Sequence, residues 1–116
     1  MSFFKSRDNQ EKHIDQIQEY LIPGEQLEQT YGLVIDFVAL TDKRILFVDK
    51  SFVSKATAVV TIPYSKIEEI AIQKSGTLSF TNKVEITTKG GSHELSFVKG
   101  ADVFGFYKKL TSKICD

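Results

Sequence analysis

Leu33-Val34-Ile35-Asp36-Phe37-Val38-Ala39-Leu40, then Thr41-Asp42-Lys43, then Arg44-Ile45-Leu46-Phe47-Val48-Asp49, reads as two β-strands and the turn between them. Thr41 and Asp42 carry side-chain oxygens able to bond a turn backbone, so Val34–Leu40 and Arg44–Asp49 are expected to pair directly as an antiparallel hairpin. A strand with one wet face alternates apolar and polar residues. Here Leu33, Ile35, Phe37 and Ala39 are apolar on one side of the strand and Val34, Val38 and Leu40 on the other, with only Asp36 interrupting. Ile45-Leu46-Phe47-Val48 and Ala58-Val59-Val60 repeat the two-sided pattern, so this sheet needs a cover on both faces.

Working outward, further β-rich runs lie near Gln26–Tyr31, Thr57–Ile62, Ile67–Gln73, Lys83–Thr88 and His93–Val98, which makes seven strands. Gly90-Gly91 supplies the positive φ angles of a second tight hairpin. Thr77 to Phe80 is open between a short strand, a bulge and a loop. After Lys99-Gly100 the period becomes helical: Val103, Phe106 or Tyr107, Leu110 and Ile114 form one apolar stripe, and Asp102 stands near the helix start. At the other end Asp8-x-x-Glu11 has the form of a capping box, and Ile14, Ile17 and Leu21 repeat at helical spacing, so a helix is expected from Asn9 to Leu21. Pro23-Gly24 ends it, and a new unit begins at Glu25. The fold expected is mainly β, a roll or barrel of seven antiparallel strands capped by a C-terminal helix, with an additional N-terminal helix.

Three landmarks, Ile22-Pro23-Gly24-Glu25, Leu40-Thr41-Asp42-Lys43-Arg44-Ile45-Leu46-Phe47-Val48-Asp49 and Ile62-Pro63-Tyr64-Ser65-Lys66-Ile67, occur in an order and spacing that resemble the bacterial pleckstrin-homology-like family. The resemblance continues through Ile70, Ser75-Gly76, Val84-Glu85-Ile86 and the last helix. It implies an N-terminal segment and helix over residues 1–24 and a PH-like domain over 25–116. It also implies a scaffold without catalytic residues, in a family where ring-like homo-oligomers are known. Phosphoinositide-binding relatives gather Lys and Arg around the first hairpin to meet vicinal phosphates. Gln29 to Asp36 holds no cation, so that ligand is not expected there.

Composition narrows the function classes. A chain of 116 residues supports one core. Fifteen basic residues balance fifteen acidic ones, which argues against nucleic acid as a partner. The single cysteine, Cys115, allows no internal disulfide, and no apolar run reaches the roughly 20 residues of a membrane span. With no signal-peptide core after Met1, a cytoplasmic location is expected. Glu68 and Glu69 are adjacent on a strand and point to opposite faces, His13 and His93 are expected at the surface, and no spacing suits a metal, a cofactor or a nucleophile. Lys43 and Arg44, with Lys50 and Lys55, are interleaved with Asp42 and Asp49 and read as a solvated rim.

Two surfaces remain as candidates. Ile14, Ile17 and Leu21 of the first helix, with Val34, Val38 and Leu40 of the sheet, are the candidate self-association residues, because one short helix hides little of a four-stranded sheet. Phe52 and Val53 between Lys50 and Lys55 form a candidate membrane or partner loop, and Phe3, Phe4, Lys5 and Arg7 offer a similar mixture. The expected function is a self-associating scaffold or adaptor that binds protein partners; the alternative is a peripheral protein that binds anionic lipid weakly.

Overall fold

The computed structural model describes residues 8–34, 36–49, 58–73 and 82–115. Helix α1 (Glu11–Gln18) precedes strands β1 (Leu27–Gly32), β2 (Phe37–Thr41), β3 (Arg44–Asp49) and β4 (Ala58–Pro63). A 3₁₀ turn at Tyr64–Lys66 leads to β5 (Glu69–Ile72), β6 (Lys83–Thr88) and β7 (Gly91–Ser96), and helix α2 (Val103–Ile114) follows. The strands form two antiparallel meanders, β1-β2-β3-β4 and β5-β6-β7. The two sheets meet at one corner, where Leu33 bridges Phe97 and Val34 N–H donates to Ser96 O at 2.8 Å.

The hairpins form as expected. Asp42-Lys43 is the β2–β3 turn, and Thr41 Oγ1 accepts from the N–H groups of both Lys43 and Arg44 at 3.0 Å. The β6–β7 turn is Lys89-Gly90, and the positive φ, 138°, falls on Gly91, the first residue of β7; Thr88 Oγ1 accepts from Gly90 N–H at 3.2 Å.

The interior of the roll is sealed by α2, whose Val103, Phe106 and Leu110 are buried among Val38, Leu40, Ile45, Val84, Ile86 and Leu95. The Phe106 ring lies 5.2 Å from Tyr31 and 4.9 Å from Phe97 between centroids. Burying one such side chain contributes about 1.5–3 kcal/mol. The helix start is fixed by Asp102, whose Oδ1 accepts from Gly105 N–H at 2.9 Å. A Cβ at Gly105 would meet that carboxylate, so a larger residue there would have to displace the Asp102 cap.

The second face of the large sheet is covered as well. Phe37, Ala39, Leu46 and Val48 are buried together with Ile17 of α1, and Leu27 and Val59 pack at the margins. The cover therefore comes from the same chain, which removes the need for a second subunit over these four residues. Val38 and Leu40 require correction as self-association candidates, because both are fully buried in the roll interior. The cause is a break in strand parity. Leu33 N–H bonds Asp36 O at 2.9 Å, so the strand starts at Phe37 and not at Val34.

The capping box does not form either. Gln10 is the N-cap, without a side-chain bond. Asp8 instead bridges Tyr31, and Asn9, at φ 52°, exchanges bonds with Thr30 at 2.8 and 2.9 Å. These residues extend β1's edge rather than capping α1, which begins two residues later than its apolar spacing predicts and ends three earlier.

Candidate functional site

The β2–β3 turn and the linker before β1 converge on Glu25. Gly24, at φ 84°, turns the chain so that Glu25 N–H reaches Ile22 O at 3.0 Å and the carboxylate points inward. Arg44 grips it with two bonds, Nε to Oε2 and Nη2 to Oε1, both 2.8 Å. Thr41 Oγ1 donates to Oε2 at 2.6 Å and Ile22 N–H to Oε1 at 3.0 Å. Arg44 also reaches Tyr20 O at 2.6 Å and Thr61 Oγ1 at 3.2 Å. The guanidinium beside Glu25, aided by Thr41 and Ile22 against the cost of burial, holds the carboxyl at about 2. This cluster is a clamp that fixes the linker to β3 and β4. Arg44 thus leaves the solvated rim to which its sequence context assigns it; Lys43 stays exposed.

Both histidines also differ from expectation. His13 is buried, its ring stacked on Phe37 with centroids 4.5 Å apart and planes 17° from parallel. His93 is half-buried, its ring edge-on to Phe47 at 5.2 Å. An amphipathic helix on an apolar strip can bury one polar ring beside its aliphatic stripe, and residue type alone does not reveal this.

Of the candidate self-association residues, Ile17 sits at the centre of the covered face, Ile14 and Leu21 are half-buried, and Val34 stands 64% exposed at the far corner. There Val34 borders an open depression of about 570 Å³, lined also by Asn82, Phe97, Val98 and Lys99. The structure therefore does not gather these six residues on one surface. Phe52, Val53, Lys50 and Lys55 lie outside the described residues, as do Phe3, Phe4 and Thr77 to Phe80. Among the described residues no group of three metal-ligating side chains occurs, and no helix is long and apolar enough to cross a membrane.

The strand edges differ sharply in how they are finished. β1 is met by Asp8 and by the β7 corner, where Val98 N–H donates to Gly32 O at 3.1 Å. β5 is four residues long and starts at Glu69. β4 pairs with β3 over six residues, and among the described residues nothing pairs with its other side. Which groups face outward follows from Arg44, whose N–H points toward β2 and bonds Thr41 Oγ1. Backbone polar groups alternate sides along an antiparallel strand, so Ile45, Phe47 and Asp49 face Ile62, Val60 and Ala58. The N–H and C=O groups of Val59 and Thr61 consequently point away from the sheet. Pro63, which has no N–H, takes the next outward position, where proline is tolerated. The stretch Ala58-Val59-Val60-Thr61-Ile62 carries no charge. That β4 is an edge, and which of its groups face outward, was not apparent from the sequence, because the solvent side of a strand is set by its partners.

Comparison with known proteins places this geometry in context. A model of the bacterial PH domain matches residues 2–114. The Bacillus subtilis (strain 168) protein YozO, itself uncharacterized, is 33% identical over 113 residues, which is 97% of this chain and 96% of that protein. YjqA of the same organism, also uncharacterized, is 26% identical over 102 residues, covering 84% and 82%. Among solved structures, a pleckstrin homology domain from Shewanella amazonensis SB2B superposes with a TM-score of 0.73 at 24% identity, covering 95% of this chain and 91% of that one. A DUF1696 family protein with a pleckstrin-homology domain from Shewanella loihica PV-4 gives 0.72 at 22% identity, covering 95% and 99%.

Proposed function

The chain belongs to the bacterial PH domain family, and from that premise we propose that it is a non-enzymatic scaffold that assembles with copies of itself through the edge of β4. The observation that carries this reading is the unfinished state of that edge. Natural sheets blunt their edges with charges, bulges, short strands or a covering segment. β1 and β7 are joined, β5 is short and acidic, and β4 alone among the described edges is uncharged over five residues.

A second copy of β4 suits this edge for two reasons. Two uncharged strands meet without like-charge repulsion, and antiparallel pairing about a two-fold axis lets the outward groups at Val59 and Thr61 bond the same groups on the partner. Light scattering tests the reading. The wild type is expected above the monomer mass; Thr61→Pro, which deletes one outward N–H together with the Oγ1 that meets Arg44, is expected to move it toward the monomer, whereas Thr61→Val, which loses only the Oγ1, is expected to leave it assembled. A strictly monomeric wild type at millimolar concentration, or an unchanged assembly in Thr61→Pro, rules it out.

A further inference from the structure

The face of the large sheet opposite the roll interior is closed by an element with little intrinsic stability. α1 has eight residues, far fewer than an isolated helix needs to persist in water, and its N-cap Gln10 makes no side-chain capping bond. Two of its side chains are buried on the sheet, Ile17 and His13. The His13 ring lies flat on Phe37 and its Nδ1 has no hydrogen-bond partner among the described residues. A neutral imidazole tolerates such a site. An imidazolium does not, because its second N–H would be buried without an acceptor.

From this geometry we propose that α1 is a proton-released lid: protonation of His13 detaches α1 and uncovers the apolar strip Phe37, Ala39, Leu46 and Val48. The charged groups acting on the ring are few. Lys12, its neighbour in α1, opposes a second positive charge, and Asp36 in the β1–β2 connection favours it. On this face β2 and β3 present Phe37, Ala39, Leu46 and Val48, with Leu27 and Val59 at the margins, and toward the β2–β3 turn Thr41 and Arg44, whose guanidinium is paired with Glu25. Burial first and Lys12 second hold the ring below its ordinary pKa, and Asp36 offsets part of that. The closed state thus binds fewer protons than the open one. Its stability is complete above about pH 6.5 and falls as the pH drops below that value, by up to tenfold in the closed-to-open ratio per pH unit.

Hydrogen exchange of the intact chain, expressed as protection factors so that intrinsic pH effects cancel, reads the lid directly. Between pH 8 and pH 5 the amides of residues 11–18 are expected to lose up to roughly 30-fold in protection, while the β6–β7 ladder keeps its own. A dye that fluoresces on apolar surfaces should brighten over the same range. His13→Phe, which retains the stacking without the proton, is expected to abolish both changes, with His13→Leu as a second non-titrating variant. Equal α1 protection at the two pH values in the wild type overturns the proposal. So does a pH response that survives in either variant.

Discussion

Glu25 shows how one buried carboxylate can organise a fold. Its side chain is wholly buried and accepts bonds from Arg44, Thr41 and Ile22. Because its pKa falls from 4.5 to about 2 on folding, the unfolded chain holds the extra proton in that window. Stability from this group is therefore complete above about pH 4.5 and is lost as the pH falls toward 2, a change of about 3 kcal/mol. Acid titration of the denaturation midpoint should show this loss, and Glu25→Gln should show a flatter acid limb. Arg44→Met removes the partner and leaves the charge buried, so chemical denaturation at pH 7 is expected to reveal a loss of about 3–5 kcal/mol. Little of this was legible in the sequence. Thr41-Asp42 announced a turn, but nothing within Gly24-Glu25-Gln26 marked Glu25 as the residue that turn would hold.

The two helices are attached in different ways, and their variants should report it. α2 closes the interior with Phe106 fully buried, so Phe106→Ala is expected to cost the whole fold about 3–5 kcal/mol in a denaturant melt. α1 covers an outer face, so Ile17→Ala is expected to open residues 11–18 to exchange while the global midpoint changes much less. Periodicity revealed α2 almost completely, since Val103, Phe106 and Leu110 are the buried positions. It revealed the stripe of α1 but not its limits, because Asp8 and Asn9 are drawn into contacts with β1 and α2 that depend on residues far along the chain. The β2 strand was found with its faces exchanged. When both sides of a strand are apolar, hydropathy carries no sign, and only the turn at Leu33–Asp36 decides which side becomes the interior.

At the level of the whole molecule, the seven strands, their two hairpin turns and the capping helix were readable because local propensity and tertiary packing agree throughout them. The second apolar face was also readable, but its cover was not. Sequence alone left a helix and another subunit both available, and the structure places α1 there. The proposed self-assembly rests on a different feature, the rim of β4 that pairs with nothing among the described residues, and this changes what association should respond to. Main-chain bonds between uncharged strands are weakly screened. The assembly mass is accordingly expected to stay constant between low and high salt, whereas contacts made by the exposed lysines would weaken.

The corner where β1 meets β7 has a consequence for biosynthesis. Asp8 reaches the backbone of Asp102, Leu33 reaches Phe97, and the roll is sealed only when Phe106 and Leu110 arrive. A ribosome that has delivered every strand has still not delivered the residues that shut the barrel. Until then Tyr31 and Phe97 lack the Phe106 ring they pack against, so the interior of the roll can close only after α2 has been synthesised.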